Sequence, residues 1–153
     1  MYLATPASHG PDTCAPQYCN EMFDGASAPR NPNYNHWSGD KHWLMRYAPP
    51  LTIEKQEATD TLLLKRWRTL LSVDDIVEQL ITRVTALGQM ERTYFIFFAD
   101  NGYHLGQFCF GADKRQPYEA DIRVPMAIMG PGIKVPLPKF TPVQSNFILH
   151  PFR

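Results

Sequence analysis

The sequence predicts an α/β fold, and three observations predict it. Tyr94-Phe95-Ile96-Phe97-Phe98-Ala99 is an aromatic and branched apolar run that ends in the polar turn Asp100-Asn101-Gly102. Residues 56–87 carry helical periodicity upstream of it. Val124-Pro125-Met126-Ala127-Ile128-Met129 is a second apolar run, closed by Gly130-Pro131-Gly132. Helix, strand, loop and strand in this order suggest a βαβ-type unit. The first run, a strand over 93–99, reads as buried on both faces, a central strand of a parallel sheet. Ligands of open α/β sheets sit at the carboxyl ends of strands, so the residues after Ala99 are the first place to look for chemistry.

The totals fit one soluble globular domain. The chain has 153 residues, 44% of them hydrophobic and 20% charged, with zero formal net charge. That balance argues against a general phosphate-backbone binder, so no nucleic-acid partner is expected. No apolar run approaches transmembrane length. The first residues lack the basic and long apolar regions of a signal peptide. Of the three cysteines, Cys14 and Cys19 could pair in an oxidising compartment, and free thiols are an equal alternative.

Element by element, residues 1–5 could end a strand that Pro6 stops. Residues 6–56 are rich in Pro, Asn, Gly and Ser without sustained periodicity, and their aromatics suggest an irregular segment pinned to a core. A first helix is expected over about 56–71, from Leu62, Leu63, Trp67, Leu70 and Leu71. A second is expected to start at Ser72 as N-cap, with Asp74 and Asp75 in its first turn, Ile76, Val77, Leu80, Ile81, Val84 and Leu87 on its apolar face, and Gly88 as its stop. The order helix-helix-strand-loop-strand then fills 57–133. A proline-rich tail, 134–153, holds one short apolar piece, Phe147-Ile148-Leu149.

The chemistry-bearing residues cluster after the first strand. Asp100 and Asn101 offer adjacent hard oxygens of the kind Ca²⁺ or Mg²⁺ takes, and Gly102 permits a sharp turn. Asp-Asn-Gly is equally an ordinary turn sequence. Lys114 suits an anionic oxygen near a metal, although Lys114 and Arg115 also fit a solvated face. His104 and His9 are further candidates as acid, base or hydrogen-bond donor.

A wider series sharpens this reading. Asp100-Asn101-Gly102-Tyr103-His104-Leu105-Gly106-Gln107 is followed by Asp113-Lys114-Arg115-Gln116-Pro117-Tyr118-Glu119, Asp121-Ile122-Arg123-Val124-Pro125 and Gly130-Pro131-Gly132. Upstream stand Ala28-Pro29-Arg30-Asn31-Pro32-Asn33, Lys41-His42-Trp43-Leu44 and Lys65-Arg66-Trp67-Arg68-Thr69-Leu70-Leu71-Ser72-Val73-Asp74-Asp75. In this order the series resembles the type I sulfatase family over residues 5–133. Within the family it is most similar to the branch that removes 6-O-sulfate from N-acetylglucosamine of heparan or keratan sulfate, with the heparan endosulfatases as near relatives. The resemblance implies part of an alkaline-phosphatase-like fold, a mixed sheet flanked by helices. It implies Asp100 and Asn101 as Ca²⁺ ligands, Lys114 and His9 as sulfate contacts, and His104 as near the pocket. It also implies a sulfated glycosaminoglycan substrate and a lysosomal or secreted setting.

The resemblance has limits. The sequence contains no Cys/Ser-x-Pro-x-Arg, the source of the family's formylglycine nucleophile, and no paired calcium aspartates on a first strand. Cys14-Ala15-Pro16-Gln17-Tyr18 lacks the arginine and follows His9. Asp74-Asp75 is explained by helix capping. Ser145-Asn146-Phe147-Ile148-Leu149-His150-Pro151 faintly resembles a later family segment, with Ile148 where an Asp is expected. The expectation is an internal fragment of a sulfatase, inactive alone, and the alternative is a non-catalytic fragment that binds sulfated glycans or a full-length relative.

Overall fold

The computed structural model describes residues 1–133. The expected tail over 134–153, including Phe147-Ile148-Leu149 and the Ser145–Pro151 similarity, lies outside the described residues. The described chain is mixed α/β, built around one long helix.

That helix, α1, runs Ile53–Ala86, 34 residues without a break. The expected division at Ser72 is therefore corrected. Leu63, Trp67 and Leu70 continue in phase into Val77, Ile81 and Val84, so one face persists through Ser72-Val73-Asp74-Asp75. No Gly or Pro interrupts it. Asp74 and Asp75 lie mid-helix and cap nothing, and Asp75 instead accepts a 2.7 Å hydrogen bond from the Tyr18 hydroxyl. The true N-cap is Thr52, whose side chain accepts from Lys55 N–H at 3.3 Å. The stop at Gly88 is as expected: its φ is +64°. Gly88 N–H donates to Thr85 O at 2.9 Å and Gln89 N–H to Val84 O at 3.1 Å, a Schellman ending.

Residues 1–52 are irregular apart from a 3-10 turn at Pro16–Tyr18, and the expected strand end at 1–5 does not form. Side chains fasten this segment to α1. Phe23 meets the Trp67 ring edge-on at 5.2 Å. Asp60 accepts from Ala28 N–H at 2.8 Å and grips both the Arg30 guanidinium and its charge. Cys14 and Cys19 form a disulfide around the 3-10 turn. Ala28, Leu63 and Leu105 make the buried core, with Tyr34, Leu62, Trp67 and Tyr103 packed on it.

Two antiparallel ribbons follow α1. Phe95–Phe98 (β1) pairs with Met126–Met129 (β4), Phe98 opposite Met126. His104–Leu105 (β2) pairs with Ala112–Asp113 (β3). A four-residue helix, α2, spans Glu119–Ile122. The parallel, doubly buried placement expected of the first strand is corrected on both counts. The connection from β1 to β4 leaves and returns at the same end of the ribbon, which makes the pair antiparallel. Ile96, Phe97 and Phe98 are 56%, 47% and 51% exposed, and Phe95 is half-buried. The β2–β3 hairpin is better anchored. Asn35 N–H donates to Gly106 O at 2.8 Å and Phe108 N–H to Asn33 O at 2.7 Å, tying it to the N-terminal segment.

Candidate functional site

Asp100 and Asn101 follow β1, Asp100 exposed in a bend and Asn101 half-buried. Asp100 Oδ1 accepts from Asn101 N–H at 2.9 Å, and Asn101 Nδ2 donates to Gly102 O at 2.7 Å. Asp100 Oδ2 and Asn101 Oδ1 have no hydrogen-bond partner among the described residues. The pair therefore leaves two hard oxygens without a described partner. Gly102 is locked behind them: its N–H donates to Asp121 O at 2.7 Å. A Cβ there would stand 2.0 Å from Ala120 O, so no other residue fits.

His104 opens β2, and its side chain is buried against that of Asp121, 5% and 1% exposed. The carboxylate can only accept, so the proton of this bond sits on His104 Nδ1, 2.8 Å from Oδ1 and 3.0 Å from Oδ2. Asp121 Oδ2 also accepts from Gln116 N–H at 2.7 Å. Phe110 meets the imidazole edge-on at 6.0 Å. Across the hairpin His104 faces Asp113, the residue before Lys114. Asp113 Oδ1 accepts from Lys114 N–H at 2.8 Å, and Arg115 Nε donates to Asp113 Oδ2 at 2.6 Å. The Arg115 bond, then the Lys114 amide, hold the Asp113 carboxyl below its ordinary value. The Lys114 ammonium makes no ion pair among the described residues.

His9 lies in the N-terminal segment, exposed, its Nδ1 donating to Gly10 O at 3.0 Å. No described hydrogen bond joins it to Asp100, Asn101 or Lys114. An indirect chain of contacts does lead from one segment to the other. Asp12 N–H donates to His9 O at 3.1 Å, and Asp12 Oδ1 lies 4.0 Å from Arg66 of α1. The Arg66 guanidinium lies over the Tyr103 ring at 3.8 Å. Burial pushes the Tyr103 phenol up, with Asp12, Asp113 and Asp121 adding to it and Arg66 opposing. Asp12, Arg66 and Asp121 are thus linked to the candidate residues, and sequence reasoning gave them no such part. Their partners lie far away in sequence, and single charged residues carry no signal of burial.

Among the described residues, no group of three or more His, Cys, Asp or Glu side chains is gathered for a metal. Asp100 and Asn101 fit a Ca²⁺ shell as two of its roughly six to eight oxygens. A cleft of about 670 Å³ is lined by Tyr47, Lys55, Leu62, Cys109 and Ala112 among others, and none of the candidate residues lines it. Cys109 is a buried free thiol that burial pushes up.

Comparison with known proteins matches residues 1–151 to the family described as Sulfatase. The chain belongs to the sulfatase family. It is 50% identical to human N-acetylglucosamine-6-sulfatase over 135 residues, 88% of this chain and 24% of that protein. The bovine N-acetylglucosamine-6-sulfatase gives the same identity and coverage. It is 40% identical to the Drosophila melanogaster extracellular sulfatase SULF-1 homolog, over 88% of this chain and 12% of that protein. The sulfatase chain therefore spans about a quarter of the length of the N-acetylglucosamine-6-sulfatases it matches. No helix among its described residues is long and apolar enough to cross a membrane.

Proposed function

We propose that this chain carries part of the active site of a sulfuric ester hydrolase acting on 6-O-sulfated N-acetylglucosamine of glycosaminoglycans. The sulfatase match over residues 1–151 carries the reading, and the 50% identity to N-acetylglucosamine-6-sulfatases supports the substrate class. Asp100 and Asn101 would hold Ca²⁺ through the oxygens left without described partners. Lys114 would set its ammonium against a sulfate oxygen, and His9 would present Nε2, since Nδ1 is taken by Gly10 O. Calcium, when bound, supplies fixed positive charge to an ester whose oxygens gain negative charge during displacement.

The sequence contains no Cys/Ser-x-Pro-x-Arg, which favours a second reading for this stretch alone: binding of sulfated glycans, or of a full-length relative, without turnover. Relatives named as extracellular sulfatases and the Cys14–Cys19 disulfide support an oxidising, lysosomal or secreted setting. The test is a titration of the 153-residue chain with a 6-O-sulfated glucosamine oligosaccharide beside an aryl sulfate assay. Saturable binding with turnover at the blank rate is expected. Turnover above the blank would overturn the non-catalytic reading of this stretch, and absence of binding would overturn the half-site.

A further inference from the structure

We propose that His104 and Asp121 are positioning residues that set where Lys114 stands relative to Asp100 and Asn101. The roles of those three residues rest on the sulfatase reading, and the couple itself rests on geometry. Asp121 is tied to both segments that bear the site. Its carbonyl accepts from Gly102 N–H at 2.7 Å, next to Asn101. Its Oδ2 accepts from Gln116 N–H at 2.7 Å, two residues after Lys114. Its Oδ1 accepts from His104 Nδ1 at 2.8 Å, and His104 stands opposite Asp113 in the hairpin.

This matters because the site-bearing segments have little regular structure of their own. β2 and β3 are two residues each, and α2 is four. Lys114 leaves the end of β3, and Asp100 and Asn101 lie outside any helix or strand. Ordering such backbone costs conformational entropy at every residue, and a sulfate contact made by a wandering lysine would be weak. The carboxylate of Asp121 is filled on both oxygens and withdrawn from water. Loss of one partner leaves a buried polar group unpaired, which the structure can relieve only by opening. The imidazole contributes through one atom, Nδ1, and that makes the proposal separable from general packing.

The experiment is amide hydrogen exchange by NMR on the 153-residue chain, with an inorganic sulfate titration read at Lys114. Variants are Asp121→Ala, His104→Gln and His104→Asn. An asparagine amide can take the place of Nδ1, whereas a glutamine amide reaches toward the Nε2 position. For Asp121→Ala and His104→Gln, exchange at Gly102 and Gln116 should rise roughly 5- to 150-fold while Leu63 is unchanged. His104→Asn should restore both protection and the sulfate response. Unchanged exchange in the first two variants would overturn the proposal, as would His104→Asn behaving like His104→Gln. If Asp121→Ala also exposes Leu63, the two His104 variants decide. A wild-type chain with no sulfate response at Lys114 would count against Lys114 as a sulfate contact, while the exchange pattern would still judge the couple.

Discussion

His104 Nδ1 lies 2.8 Å from Asp121 Oδ1, and the two side chains are 5% and 1% exposed, 17 residues apart in sequence. A buried pair of this kind is costly to break and cheap to replace whole. Asp121→Leu alone should lose about 2–4 kcal/mol of stability. Combining it with His104→Phe should recover part of that loss, because the imidazole is no longer left without its partner, while Gln116 N–H still lacks its acceptor. Urea unfolding of the two variants and the wild type checks this, and equal losses would show that packing alone matters here.

The continuous helix makes a second expectation. Ser72 N–H lies in the middle of α1, nineteen residues after Ile53. Ser72→Pro should cost about 3 kcal/mol or more and lower helical circular dichroism. Were Ser72 the N-cap of a separate helix, the same change would cost only about 1 kcal/mol, the loss of a cap.

This error shows where the sequence stops being legible. Periodicity around Leu63 and Val77 revealed helix on both sides of Ser72, but Ser-Val-Asp-Asp looks like a cap to any local rule. Only the phase of the stripe from Leu70 to Val77 argues for continuity. The strand ending at Phe98 and the Gly88 stop were legible because each is written in adjacent residues. The direction of the β1–β4 pair and the exposure of Phe97 were not, since both depend on how the chain returns from residue 99 to 125. The chemistry of Asp100, Asn101 and Lys114 came from residue type and family resemblance. The bonds that Asp121 makes to Gly102, His104 and Gln116 left no local mark in the sequence.

Arg66 and Tyr103 give a titration with a definite sign. The guanidinium, 3.8 Å from the ring centre, opposes the burial that pushes the phenol above 10.0. Arg66→Gln should therefore raise the Tyr103 pKa further, and Asp12→Asn should lower it. Tyrosine ¹³Cζ shifts followed through alkaline pH would read both; a fall in the Arg66 variant would contradict the contact.

Tyr18 and Asp75 predict an alkaline dependence of stability. The bond to Asp75, the largest cause, raises the phenol above its ordinary 10.0. A raised folded value means the contribution is complete below pH 10.0 and is lost as pH rises through the folded value. Tyr18→Phe should lower the urea midpoint at pH 7, and the gap to wild type should close above the folded value. A gap that does not change with pH would dismiss the bond as a contributor.

The half-site itself is tested most directly by calorimetric titration of the 153-residue chain with a 6-O-sulfated glucosamine oligosaccharide, with and without Ca²⁺. Binding that strengthens with Ca²⁺ is predicted. Asp100→Ala should abolish the calcium dependence and Lys114→Ala the sulfate dependence, measured against the desulfated oligosaccharide. Equal binding by wild type and both variants, or equal binding of sulfated and desulfated sugar, would contradict the account.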